Sequence, residues 1–242
     1  MAHAHSQYVD KEDLKGWLGL SGTAQDSNLD IAINAACRAI DDYCGRVFFQ
    51  TQTTETRYFD CEFADYVFVD DIATTTDLVV TTLNEDGTDD QTLVLDTDYY
   101  LYPLNQTAED VHPRLPYYKI VMAIENGGKV LPTHFPRSLK ITATFGFPIQ
   151  EDGGNSTVPE AVTQAALIQA ARFWQRKNSP MGFSGNPETG QAPVIFLSEL
   201  DPDVKTLIKH FKISTITLAS GRPYTGLTAV NNQRQYGVWN LL

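Results

Sequence analysis

The chain has 242 residues, 42% hydrophobic and 11% aromatic, which suits one large domain or two small ones and excludes a disordered chain. Its formal net charge is −12, a poor match for a protein that grips nucleic acid. No run reaches the roughly 18 apolar residues of a transmembrane helix, and Met1–Gln7 lacks the basic and apolar regions of a secretory signal.

Residues 10–20 predict a short helix. Asp10 can cap it, Glu12 and Asp13 favour its positive end, and Leu14, Trp17 and Leu18 form an i, i+3, i+4 stripe. Gly19 and Gly22 break it. A second helix is expected from Ser27, where Ser27 and Asp30 fit a loose capping box. Leu29, Ile33, Ala36, Ile40, Tyr43 and Val47 keep its helical spacing, and Gly45 suits a left-handed C-terminal cap. Cys37 and Cys44 fall near one face and read, with Cys61, as buried small hydrophobes. Their odd number and the lack of a Cys/His cluster argue against a disulfide framework or a metal site.

From Thr51 the period changes to two. Strands are expected over residues 54–60, 66–69, 78–83, 92–95, 99–102, 118–124 and 139–145, with Asn84–Asp90 as a hairpin tip. Residues 105–115 read as a polar loop, and Gly146, Pro148 and Asp152–Ser156 close the module.

Pro159 and Glu160 open a third helix. Its apolar residues, from Ala161 to Trp174, spread too widely for one core-facing stripe. Two readings stay open: a central helix wrapped by its own chain, or a helix shared with an adjacent subunit through Ala166, Ala170, Phe173 and Trp174. Residues 178–198 form a long Gly/Pro-rich loop in which Phe183, Ile195 and Phe196 are candidate partner contacts. Asp201-Pro202 starts a fourth helix with a Val204, Leu207, Ile208, Phe211 stripe and Lys205, Lys209 and Lys212 outside it. Residues 213–242 contain Arg222 and Arg234 and no acids. Their apolar residues, with Tyr224, Leu227, Tyr236, Trp239 and Leu242 as candidate contacts, suit an extended arm that docks on something.

The expected fold class is α+β. A small antiparallel helical bundle (1–50 and 151–212) carries an inserted antiparallel β module (51–150) and ends in an extended C-terminal arm (213–242). The charge is unevenly divided. Residues 55–110 hold fifteen Asp or Glu against one base, Arg57, or −14, while the remainder holds fifteen acids and seventeen bases, or +2. The insert is therefore an acidic module on a near-neutral scaffold. It suits a passage through which DNA slides without sticking.

No phosphate loop, dinucleotide fingerprint, zinc signature or nucleophile elbow occurs. Gly182-Phe-Ser-Gly185 imitates an elbow only superficially, because no strand precedes it. His3 and His5 read as part of a flexible end, His112 and His134 as loop residues beside prolines, and His210 as a polar-side residue near a helix C-terminus. Asp86, Asp89 and Asp90 crowd one turn but lack the calcium-loop spacing, so a solvated tip is expected. No catalytic residue, cofactor or metal is expected. A non-enzymatic binding module, recognising a cation, glycan or basic protein through the acidic insert, is the alternative.

The order of these pieces resembles the phage head–tail connector (adaptor) proteins, with their gp6-like and gp15-like members. The resemblance rests on the Leu14/Trp17/Leu18 helix with Asp26, and on the helix end Ala35-Ala36-Cys-Arg-Ala-Ile40…Tyr43-Cys-Gly-Arg46. Next come Thr54-Glu-Thr-Arg-Tyr58 and Leu139-Lys-Ile-Thr-Ala-Thr-Phe-Gly-Phe-Pro148, then Val158-Pro-Glu-Ala-Val162 and Ala170-Ala-Arg-Phe-Trp174. It covers about Tyr8 to Phe211. It implies a non-enzymatic ring of about twelve copies in the virion neck, made in the host cytoplasm. The ring would lie between the portal protein and a stopper or tail-completion protein, with viral DNA passing through the centre and no membrane involved. The large acidic insert and the long arm depart from the family pattern.

Overall fold

The computed structural model describes residues 7–106, 114–124, 128–149, 158–176, 183–184, 194–195, 200–213, 216–217 and 223–224. It is an α+β fold of four helices and two principal antiparallel sheets among those residues. The chain divides into two compact units. A helical unit takes the described residues within Met1–Arg46 and Val158–Lys212, and a β unit takes those within Val47–Thr157 and Ile213–Thr228.

In the helical unit, α1 spans Lys11–Leu18, α2 Asp26–Cys44, α3 Glu160–Arg176 and α4 Pro202–Ile208, the last continued by a 3-10 turn over Lys209–Phe211. Asp10 caps α1 by accepting the Glu12 N–H, and Gly19 ends it in the left-handed conformation. Gly45, with φ 70°, ends α2 as its sequence implied. The start of α2 differs from expectation. Ser27 is not the cap. The helix begins at Asp26 after Gln25, whose side chain makes no capping bond. A turn in which the Asp26 N–H reaches the Thr23 carbonyl leads directly into it, and Lys15 holds the Asp26 carboxylate at 2.8 Å. That ion pair lowers the Asp26 pKa and raises that of Lys15.

The stripe Leu29, Ile33, Ala36, Cys37, Ile40 and Cys44 of α2 is fully buried, and α3 is its main partner. Tyr8 packs on the same helix, its hydroxyl donating to Asp41 at 2.6 Å. Burial drives the Cys37 and Cys44 thiols up to about 11 and about 12, which keeps them protonated and unreactive. α4 is set against α3 by polar contacts. The buried Gln169 accepts the Asp201 N–H at 3.1 Å, and Arg172 pairs with Asp201 at 3.2 Å. Asp201 also caps α4 through the Asp203 N–H.

In the β unit, β1 is Glu55–Phe59, β2 Tyr66–Ile72, β3 Val79–Leu83, β4 Asp89–Leu93, β5 Tyr99–Tyr102, β6 Tyr117–Met122 and β7 Leu139–Ala143. One sheet runs β1-β7-β3-β4 and the other β2-β6-β5, antiparallel throughout. Alternate residues of both sheets share one core, including Val67, Val69, Val80, Leu93, Leu101, Ile120, Leu139 and Ile141. The expected hairpin tip is shorter than Asn84–Asp90, because β4 already begins at Asp89. Gly87, at φ 82°, and the Asp86 carboxylate accepting from Thr88 close the turn.

The residues following β7 join the two sheets. The Phe145 carbonyl accepts the Thr51 N–H, the Thr144 carbonyl accepts the Ala73 N–H, and the Gly146 N–H reaches the Asp71 carbonyl at 2.7 Å. Gly146 sits at φ 111°, where a Cβ would lie 2.0 Å from the Phe49 carbonyl oxygen. Only glycine fits there. Further antiparallel pairs, β8 (Phe183–Ser184) with β9 (Val194–Ile195) and β10 (Ile216–Thr217) with β11 (Pro223–Tyr224), occur where the sequence suggested only loop and extended arm.

Gly146→Ala is expected to destabilise the fold by well over ~1 kcal/mol, since both the backbone angle and the space are wrong. Denaturant titration checks this, and wild-type stability would contradict it. A second expectation concerns Asp41. Burial raises its pKa from 3.8 to about 6, against the opposing effects of Tyr8 and Arg38. Between those values the folded chain keeps a proton that the unfolded chain releases. Stability is therefore fully present below the lower value and declines as pH rises through about 6. Asp41→Asn should flatten the stability profile between pH ~4 and ~6. An unchanged slope would remove the assignment.

Candidate assembly surfaces

The sequence-derived contact residues are differently placed. Ala166 and Ala170 are fully buried in the chain's own helical unit. Of the two readings of α3, their burial suits a central helix wrapped by its own chain. Phe173 and Trp174, on the last turn of α3, are half-buried. Phe183 pairs with Ile195 along the backbone, and Tyr224 with Ile216. Phe196, Leu227, Tyr236, Trp239 and Leu242 lie outside the described residues, as do His3, His5 and His112.

The open side of α3 shows a feature that the sequence alone did not display. Glu160, Ala161, Gln164 and Ile168 face Asp203, Thr206 and Leu207 of α4 across a shallow groove of about 610 Å³. On α3 these positions recur at one, four and eight residues past Glu160, so they share one side of the helix. Ala161, Ile168 and Leu207 supply apolar surface, while Glu160 and Asp203 are the acids. Asp201 is tied to Gln169 and Arg172, so the start of α4 lies toward the far end of α3. Asp203 accordingly belongs to the Ile168 end of the groove and Glu160 opens the other.

The β unit offers a second kind of surface. Tyr66, Phe68, Tyr102 and Lys119 gather on the face of the β2-β6-β5 sheet opposite the core. The Lys119 ammonium lies 4.3 Å from the Tyr66 ring centroid, 5.4 Å from Phe68 and 5.9 Å from Tyr102. Phe63 stacks on Tyr66 at 4.6 Å. Burial among these rings lowers the Lys119 pKa, partly opposed by Asp65. A separate pocket of about 260 Å³ is lined by Gln50, Thr74, Gln106, Arg114, Tyr117 and Ile149, among others.

The crowded acids have separate partners. Asp86 accepts from Thr88, Asp89 binds Lys140, and Asp90 accepts from Thr82. Among the described residues no three His, Cys, Asp or Glu side chains converge as a metal-binding group. Glu55, Glu62, Asp65, Asp70, Asp77, Glu85 and Asp96 are exposed. Asp98 differs from them. It is buried, accepts the Val94 N–H at 2.8 Å and pairs with Lys129 at 2.7 Å, which lowers its pKa. The His210 ring lies tilted against Phe211, 3.9 Å between centroids, and partial desolvation holds its pKa below the ordinary value. No helix among the described residues is long and apolar enough to cross a membrane.

No family model and no curated protein matches this sequence. Among solved structures, the chain is similar to one from the "Neck of empty GTA particle computed with C6 symmetry". The TM-score is 0.50 at 15% identity, covering 89% of this chain and 95% of the other. At that identity the likeness is one of fold, and it spans nearly the whole of both chains.

The two classes of acid are separable by mutation. Asp98→Asn is expected to lower the melting temperature, because it weakens a buried pairing with Lys129. Asp86→Asn should leave it nearly unchanged, since an amide oxygen can still accept from Thr88 at the exposed turn. Equal melting temperatures for the two variants would contradict this division.

Proposed function

We propose that this protein is a structural, non-enzymatic head-to-tail adaptor of a phage-like particle. In this reading it forms a ring in the neck, beneath the portal protein and above a stopper or tail-completion protein, and belongs to the virion. The observation that carries the reading is the near full-length fold likeness to a neck chain. It converges with the resemblance carried by the order of sequence motifs from Tyr8 to Phe211. A ring of about twelve copies is commensurate with the sixfold symmetry in which that neck was computed.

The charge distribution supports a conduit role. Eleven exposed carboxylates of the β unit, from Glu55 to Asp96, present a surface that repels DNA phosphates. DNA in such a neck must move, so adhesion would be a fault. The apolar and acid-free composition of residues 213–242 supports a segment that orders on a partner. Of the alternative, a module binding a cation, glycan or basic protein, the cation case loses support from the separate engagement of Asp86, Asp89 and Asp90.

Mass measurement of the purified chain, alone and with portal, tests the proposal. The expected outcome is a closed multimer that binds portal. A chain truncated after Lys212 should bind portal at least tenfold more weakly. Failure of the full chain to bind portal at micromolar concentration would overturn the adaptor reading. Unaltered binding of the truncated chain would overturn the role given to the arm.

A further inference from the structure

We propose that the α3–α4 groove of one copy receives the outward face of α2, centred on Ile31, from the next copy. This inference rests on the ring reading and assigns its contact. Ile31 is 67% exposed, the most exposed of the large hydrophobic side chains among the described residues. It lies on α2 with Asn34, Ala35 and Arg38, all exposed and at successive helical-turn spacings. The buried stripe of α2 occupies the other side of the helix. Among the described residues the groove, in turn, is lined by α3 and α4 alone.

The unit thus carries two unlike surfaces on different sides. One is a ridge of small and neutral residues with an aliphatic knob and an arginine. The other is a trough with an apolar floor and an acid at each end. Their spacings agree. Glu160 and Ile168 are eight residues apart, or about 12 Å along α3, and Ile31 and Arg38 are seven apart, or about 10 Å along α2. With Ile31 on Ala161, Ile168 or Leu207, Arg38 can reach the acid at the far end. Arg38 is steadied by Asp41 at 2.9 Å while its side chain stays 48% exposed. Asn34 and Ala35 between them allow close approach of the helices. A knob and a trough that are different patches of the same molecule make a head-to-tail contact, which closes into a ring when the rotation permits.

Head-to-tail pairing has a signature that other contacts lack. Ile31→Glu destroys the knob and leaves the groove. Gln164→Arg, at an exposed groove position, obstructs the groove with a like charge for Arg38 and leaves the knob. Each variant alone should sediment as a monomer at concentrations where the wild type assembles, with an unchanged melting temperature. An equimolar mixture should form a one-to-one dimer and nothing larger, since one intact knob meets one intact groove. Wild-type assemblies that keep their size in both variants would overturn this contact and leave the ring reading standing. A wild-type chain that stays monomeric at millimolar concentration would also overturn it, and the portal titration separately decides the ring reading. Loss of assembly on truncation after Lys212, with Ile31→Glu unaffected, would overturn it by giving the groove to the C-terminal segment.

Discussion

The helical unit depends on how closely α3 approaches α2. Ala165, Ala166 and Ala170 are buried in α3, and Ala32 and Ala36 in α2. Small side chains let two helix backbones draw near, so dispersion contacts accumulate along the whole seam. Larger residues at these positions would push the helices apart and open the core around Ile33 and Ile40. The seam also uses up one side of α3. What remains, Ala161, Gln164 and Ile168, has only α4 beside it among the described residues, and α4 is short. The groove is a consequence of the alanine seam.

The second constraint is the crossing after β7. There the backbone of residues 144–147 bonds to Thr51, Asp71, Ala73 and Phe49, drawing segments distant in sequence into one place. Gly146 is the single position where a side chain would obstruct this. Phe145 and Phe147 on either side of it are buried, so the same short segment closes the hydrogen bonds and fills the core. Much of the β unit's cohesion passes through these few residues.

Much of the fold was legible in the sequence because it is written in local chemistry. Gly19 and Gly45 end helices where a left-handed residue is required, Asp10 and Asp201 cap them, and the alternating strands appear within a few residues of their expected limits. What was not legible depends on long-range pairing. Glu55 meets Ala143 and Val79 meets Thr142, and no local pattern encodes those partners. The start of α2 was misplaced for the same reason, since Asp26 is held by Lys15 from another helix. The short pair between β8 and β9 joins Val194 and Ile195, which open the apolar run Val194-Ile-Phe-Leu197, to Phe183-Ser184, which sit in a Gly-rich stretch with no strand pattern.

The same division applies to the contacts of α3. A broad apolar face on a helix says that more than one partner is present, but not which residue faces which partner. Ala166 and Ala170 suit close approach, and both are buried within their own chain on a helix whose main partner is α2. Ile31 is a better guide. A large aliphatic side chain 67% exposed on an otherwise well-formed helix contributes nothing to the unit that carries it. The acids at the ends of the groove lie outside the core, in the first turns of α3 and α4. Residues that the isolated fold can spare, set at matching intervals on two sides of one unit, are what an assembly of identical copies requires.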